Sequence, residues 1–314
     1  TQVSPRFLHP IPQVMKSTAF LFPLFGILAA ASLSAQEKAP SKPNPSPTYA
    51  NVRYGPHERN ILDFWQAKSD RPTPVVVSIH GGGFRRLNKS VRSEILDVCL
   101  ANGISVAAIS YRYSTQAIAP APFLDSARAV QFLRSRAKEW HIAKEHFGGT
   151  GGSAGAGMVL WLGFHDDLAD PDNADPVLRE SSRLSCMAVI NSQTSYDPRF
   201  IKALFPPNAP LPAEDALADL FGMKTMNDFE SAPPEKVRLF EEVSPIHHLT
   251  RDDGPVLMIY PLRMDAPPDI HHPLFGMRLK EKMDALKIPC EVMPGTAHFD
   301  QAQVLAFFRQ YLKP

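Results

Sequence analysis

The feature that most constrains the fold is a repeated alternation of strand-like and helix-like segments along most of the chain. Short apolar runs rich in β-branched residues, such as PVVVSIH from Pro74 and PVLMIY from Pro255, are typical of buried strands. Apolar residues recur at spacings of three and four over residues 123–140, which predicts an amphipathic helix. The alternation therefore predicts an α/β fold with a mainly parallel central sheet and helices on both faces.

Residues 197–252 interrupt this alternation with prolines, acidic residues and short apolar patches. Insertions into an open α/β sheet lie above the carboxyl ends of the strands, where ligands bind. The segment is predicted to be a small cap or lid insertion, and a plain surface excursion is the alternative.

The N-terminal part of the chain divides into three zones of different composition. Residues 15–35 begin with methionine and lysine, continue with an apolar stretch and end in alanine, as a secretory signal peptide does. An uncleaved anchor is the alternative, but the apolar stretch is short for a membrane span. Residues 1–14 are interpreted as an upstream extension and the proline-rich residues 36–51 as a linker, so the folded domain is expected over 52–314. This organisation predicts a secreted or periplasmic protein whose mature part has no stable membrane span.

The net charge and the cysteine content of the chain bear on its binding partners and on its disulfide bonds. The formal net charge of +1 supplies no strong field to attract nucleic acid, so no nucleic-acid partner is expected. Three cysteines cannot form a closed disulfide framework, and Cys99, Cys186 and Cys290 are interpreted as buried thiols. One disulfide stays possible in an oxidising compartment, and the oligomeric state stays open.

The sequence GGSAG at residues 151–155 matches the pattern G-x-S-x-G. In this pattern a serine occupies a strained strand-to-helix turn, and the flanking positions must be small. A strand-like segment precedes the match and an apolar helical segment follows it, which is the context that the pattern requires. Ser153 is therefore predicted to be a nucleophile.

The sequence HGGGF at residues 80–84 directly follows the predicted PVVVSI strand. Consecutive glycines allow backbone N–H groups to approach a ligand closely. Together with the amide of Ala154, these amides are expected to bind the oxyanion of an acyl-transfer intermediate. Phosphate binding is the weaker alternative, because no lysine follows at P-loop spacing.

A base and an acid are expected after the later strands. His298 follows the last predicted strand and is predicted to be the general base. The acid that orients the imidazole is expected after PVLMIY, where Asp269 is favoured and Asp265 is the alternative.

Two pairs of adjacent histidines, 247–248 and 271–272, raise the question of a metal site. Adjacent side chains point apart, and no carboxylate stands at a ligand spacing such as H-E-x-x-H. Neither a metal nor another cofactor is therefore predicted.

Four motifs together resemble one known superfamily: HGGGF at 80–84, SYRYS at 110–114, FLDSARAVQFLR at 123–134 and GGTGGSAGAG at 148–157. With them, the chain from about Val52 onward resembles the α/β-hydrolase superfamily. It is most similar to bacterial carboxylesterases related to hormone-sensitive lipase and to the feruloyl- and acetylxylan-esterase-like group.

The resemblance implies an α/β-hydrolase fold with Ser153 as nucleophile and His298 as base. It also implies an oxyanion hole built from the amides of Gly82, Gly83 and Ala154. In such families the acid stands in a D-x-x-[VI]-P pattern, which DIHHP at residues 269–273 approximates with a histidine at the aliphatic place.

The predicted function is hydrolysis of small carboxylic esters or acylated carbohydrate fragments through an acyl-serine intermediate. The alternatives are a serine peptidase of the same fold and a non-catalytic binding protein. The peptidases would normally carry a large additional domain, for which 314 residues leave no room.

Overall fold

Eight strands form one sheet, and the computed structural model describes residues 43–226, 229–296 and 300–314. The strand order is β1-β2-β4-β3-β5-β6-β7-β8. Strand β2 is antiparallel to both of its neighbours, β1 and β4, and all the other neighbouring pairs are parallel. The strands are β1 Tyr49–Arg53, β2 Ile61–Trp65, β3 Thr73–Ile79, β4 Ser105–Ile109, β5 Ile142–Gly152, β6 Cys186–Ile190, β7 Val256–Tyr260 and β8 Cys290–Pro294. The predicted signal segment 15–35 and the extension 1–14 lie outside the described residues.

Helices cover both faces of the sheet, as the alternating pattern predicts. They are α1 Ser93–Ala101, α2 Ala121–Ser135, α3 Ala154–Phe164, α4 Pro198–Ala203, α5 Glu214–Phe221, α6 Pro234–Glu242, α7 Pro245–His248, α8 Leu274–Leu286 and α9 Gln301–Leu312.

The side chains of strand β3 contribute to two apolar clusters, one on each face of the sheet. Val75 and Val77 belong to the apolar cluster that includes buried residues of α2, α3 and α8. Val76 belongs to a second cluster, which includes buried residues of α1 and α9. Because successive side chains of a strand point to opposite faces, a continuously apolar strand fills both cores.

The first strand corrects one predicted boundary. Strand β1 begins at Tyr49, inside the segment 36–51 that the sequence analysis assigned to a linker. It lies at the edge of the sheet and is only partly buried, so it lacks the apolar run that reveals an interior strand. Its anchor is the Tyr49 ring, whose centroid lies 4.6 Å from that of Trp140.

The chain between β6 and β7 contains helices α4 to α7. Their buried residues, including Leu217, Phe221 and Phe240, join the same apolar cluster as α2 and α3. Across the described ranges, no helix combines the length and apolar character needed to cross a membrane. Cys99, Cys186 and Cys290 are all free thiols; the first two are buried and the third is partly buried.

Candidate active site

Ser153 occupies the turn between β5 and α3. Its backbone angles, φ 54° and ψ −126°, lie in a region that costs a non-glycine residue about 1–3 kcal/mol. Two neighbouring glycines make the turn sterically possible. A Cβ on Gly151 would lie 2.8 Å from the carbonyl oxygen of Ile79, and one on Gly155 would lie 2.6 Å from that of His80. The turn is thus packed against the end of β3 through positions that must lack side chains.

The histidine in contact with this serine is His271. Its Nε2 atom lies 2.9 Å from Ser153 Oγ, within hydrogen-bond distance. Burial lowers the pKa of His271 below its usual 6.5, and the nearby Asp269 carboxylate opposes that shift. A neutral imidazole at this place is able to accept the serine proton.

Asp269 approaches the other side of the same imidazole. Its Oδ1 atom accepts a hydrogen bond of 2.7 Å from the backbone N–H of His271 and lies 3.3 Å from His271 Nδ1. A proton on Nδ1 would then face the carboxylate and leave the Nε2 lone pair toward Ser153. Asp265, the alternative acid, pairs instead with Arg263 at 3.1 Å, and its side chain is 73% exposed.

His298 lies outside the described residues, so its assignment as the base stays a prediction. In the sequence, His271 stands out only as one of two adjacent histidines, a pattern that raises a metal site and does not predict a contact with Ser153. One feature of the sequence could have indicated this role: His271 stands two residues after Asp269. An aspartate side chain often accepts a hydrogen bond from the backbone N–H two residues later, and such a turn brings the carboxylate close to the imidazole. The next residue, His272, is buried, and its ring is engaged by Ala266 and Leu274, so the two adjacent rings serve different contacts.

The glycine loop after β3 lies beside Ser153, since a Cβ on Gly81 would lie 3.3 Å from the Ser153 Cβ. Gly82 and Gly83 adopt φ values of +95° and +59°, which favour glycine, and they line one cavity with Ser153 and Ala154. Within the described ranges, neither loop amide donates a hydrogen bond. Ala154 is the first residue of α3, so its amide has no carbonyl partner within the helix. These amides are therefore free to bind a developing negative charge.

The base of this loop is held by an aromatic pair. The Tyr111 hydroxyl donates toward the carbonyl oxygens of His80 and Gly81, at 3.0 and 3.1 Å. The His80 and Tyr111 rings stack with their centroids 4.4 Å apart. This packing fixes the direction in which the glycine loop leaves β3.

The cavity above Ser153 has a volume of about 820 Å³. Its wall includes Ala213, Ala216 and Leu217, which come from the segment between β6 and β7. The volume falls in the range of sites that enclose a small organic molecule, about 300–1,000 Å³.

Sequence comparison agrees with this architecture. The profile of the BD-FAE family matches residues 62–261, which is more than half of the chain. The chain belongs to the BD-FAE family. The matched region extends from β2 to the end of β7 and includes the glycine loop and the Ser153 turn.

Two curated relatives of this BD-FAE member come from Mycobacterium tuberculosis (strain ATCC 25618 / H37Rv). Esterase LipC is 23% identical over 250 residues, which cover 79% of this chain and 58% of LipC. Esterase LipQ is 29% identical over 166 residues, which cover 49% of this chain and 39% of LipQ. The matched part of the chain thus spans 58% of the length of LipC and 39% of the length of LipQ.

Solved structures confirm the α/β-hydrolase fold of this BD-FAE member. A truncated carbohydrate esterase from gut microbiota superposes with a TM-score of 0.67 at 21% identity, covering 85% of this chain and 96% of that one. An acetyl ester-xyloside bifunctional hydrolase from Caldicellulosiruptor lactoaceticus gives 0.60 at 22% identity, with 81% and 84% covered. A Thermogutta terrifontis esterase gives 0.58 at 17% identity, with 79% and 86% covered.

Proposed function

We propose that this chain is a serine carboxylic-ester hydrolase that acts through an acyl-enzyme intermediate. The observation that carries the proposal is the 2.9 Å contact between Ser153 Oγ and His271 Nε2, at a strained turn facing free backbone amides. His271 takes the hydroxyl proton while Oγ bonds to the ester carbonyl carbon. The amides of Gly82, Gly83 and Ala154 hold the resulting oxyanion.

The second half of the reaction uses the same groups. The bond between carbonyl carbon and alcohol oxygen breaks, and the alcohol leaves with the proton that His271 carries. Water then attacks the acyl carbon while His271 accepts a proton from it. The bond between that carbon and Ser153 Oγ breaks, His271 returns the proton to Oγ, and the carboxylic acid is released. Asp269 keeps the imidazole in the required tautomer throughout.

The proposed substrates are small esters and acylated carbohydrate fragments. The relatives and structural neighbours that support this class are named as esterases, a carbohydrate esterase and an acetyl ester-xyloside hydrolase. We further propose that residues 197–252 form a cap, because Ala213, Ala216 and Leu217 contribute to the cavity wall. Export to the periplasm or the cell exterior stays a proposal that rests on residues 15–35.

The function is tested with p-nitrophenyl esters of increasing acyl length, together with methyl ferulate, acetylated xylan and a peptide p-nitroanilide. We expect turnover of at least one ester and none of the peptide. Ser153→Ala should lower kcat by more than about a thousandfold. Peptide cleavage without ester cleavage would establish the peptidase instead. A wild type inactive on every ester, or an alanine variant as active as wild type, would refute the esterase.

The proton acceptor is tested by comparing His271→Gln with His298→Gln. We expect His271→Gln to lower kcat by orders of magnitude, because it removes the group that contacts Ser153 Oγ. If only His298→Gln does so, the base is the residue predicted from sequence.

The acid is tested in the same manner with a matched pair of variants. Asp269→Asn should lower kcat by about 10³–10⁴-fold, because the amide stabilises the wrong imidazole tautomer. Asp265→Asn is the control, since its carboxylate is exposed and paired with Arg263, and it should leave kcat unchanged.

A further inference from the structure

A second cluster of ionisable side chains lies outside the cavity of Ser153. His165 directly follows α3, Glu242 is the last residue of α6, and His248 is the last residue of α7. One ligand atom from each lies within 4.8 Å of the other two. In the part of the chain that the structure describes, this is the one cluster of three such residues close enough to share a metal ion.

Each histidine of the cluster uses one ring nitrogen on a backbone carbonyl. His165 Nδ1 lies 2.8 Å from the carbonyl oxygen of Asp166, and His248 Nε2 lies 2.6 Å from that of Glu242. Because a carbonyl oxygen only accepts, both of these nitrogens carry the proton. The remaining nitrogens, His165 Nε2 and His248 Nδ1, therefore present lone pairs in the neutral rings. Metal-binding histidines are oriented in this manner by carbonyl or carboxylate groups.

The carboxylate of the cluster faces one of these lone pairs. Glu242 Oε1 lies 3.1 Å from His165 Nε2, so two acceptors meet unless a cation stands between them. Two ligands bound to zinc at about 2.0–2.1 Å in a tetrahedron are separated by about 3.3 Å. The observed separation thus suits either a shared metal ion or a second proton on His165.

Surrounding contacts hold the three residues in place. The Trp161 indole N–H donates a 2.8 Å hydrogen bond to the Glu242 carbonyl oxygen, and its ring centroid lies 4.3 Å from that of His165. The rings of His165 and His248 lie 4.5 Å apart, and the His165 side chain is only 15% exposed. The two imidazole rings are therefore held by packing before any ion binds, and the Glu242 side chain, which is 45% exposed, has room to meet the ion.

We propose that His165 Nε2, the Glu242 carboxylate and one imidazole nitrogen of His248 bind one zinc-class divalent metal ion, which joins the end of α3 to α6 and α7. Two imidazoles and one carboxylate suit zinc, and a water molecule would complete the tetrahedron. Mg²⁺ and Ca²⁺ prefer all-oxygen sites and are not expected to bind here. No sequence motif predicts this site, because its three ligands come from distant positions in the chain.

The test uses the untagged full chain, stripped with a chelator and titrated with Zn²⁺ against a chromophoric competitor. We expect one tightly bound ion per chain and a higher Tm in Zn²⁺ than in EDTA. His165→Gln, His248→Gln and Glu242→Gln should each weaken zinc binding by more than about 100-fold, because loss of a residue that only supports a ligand already costs about 10–100-fold. His247→Gln is the matched control, because this exposed neighbour is not part of the cluster, and it should bind as wild type does.

Variants that no longer bind zinc should give the same circular dichroism spectrum and the same rate of ester hydrolysis as the wild type, which would show that these variants are folded. The proposal is wrong if the wild type binds no zinc, or if the three ligand variants bind zinc as tightly as the wild type does. Because zinc binding is measured directly, its failure would leave the ester-hydrolase proposal untouched, and absence of esterase activity would leave the zinc result valid.

Discussion

His80 makes the stability of this protein sensitive to acid. Its side chain lies beneath the glycine loop, is only 4% exposed and stacks on Tyr111. One ring nitrogen, Nδ1, lies 2.8 Å from the carbonyl oxygen of Gly81. The other, Nε2, is buried without a hydrogen-bond partner among residues 43–226, 229–296 and 300–314. A charged ring would have little solvation here, and burial accordingly lowers the pKa of His80 from 6.5 to about 4.

The sign of the effect follows from proton binding. Above pH 6.5 the ring is neutral in both the folded and the unfolded chain, so it adds no pH dependence. Between pH 6.5 and 4, His80 binds a proton in the unfolded chain but not in the folded chain. The free energy of unfolding therefore falls as the pH is lowered through this range. With about 1.36 kcal/mol per pKa unit, His80 alone should remove about 2.5 kcal/mol of unfolding free energy between pH 7 and 4.5.

The assay compares urea unfolding of wild type and His80→Phe at pH 7 and at pH 4.5. Phenylalanine retains a ring that can stack on Tyr111 and cannot be protonated. The loss of unfolding free energy between the two pH values should be about 2.5 kcal/mol smaller in the variant. Equal pH dependence of wild type and His80→Phe would refute the reasoning.

Three further predictions concern the turn at Ser153, the ion pair of Arg112 with Asp125, and the proposed base. Gly155→Ala should cost about 3 kcal/mol or more of unfolding free energy, because its methyl group would overlap backbone oxygens at the end of β3. Gly152→Ala is its control in urea unfolding, since the nearest atom to the new methyl group is 4.0 Å away. Asp125→Ala should cost about 3 kcal/mol in the same assay, because buried Asp125 accepts hydrogen bonds of 2.7–2.9 Å from the guanidinium and backbone N–H of Arg112. Because burial lowers the pKa of His271, the fall of kcat/KM in acid should have its midpoint below pH 6.5, the ordinary value for histidine; a midpoint above pH 7 would contradict His271 as the base.

The alternation of strand-like and helix-like segments along the sequence determined the fold class without any tertiary information. A continuously apolar strand such as β3 is stable only with both faces covered, so the pattern itself requires helices on either side. The turn at Ser153 was equally local, because its glycines and its strand-to-helix context lie within a few residues of one another. The edge strand β1 was missed, since its burial is partial and its pairing with β2 is not encoded in its own residues.

Contacts between distant residues were decided only by the tertiary structure. The sequence placed Ser153 in its turn, but the path of the loop before α8 brings His271 to the hydroxyl and directs Asp265 to solvent. The cluster of His165, Glu242 and His248 likewise depends on how three helix ends meet. Local patterns report which side of an element is buried, whereas the partner of a polar side chain depends on packing between elements far apart in the chain.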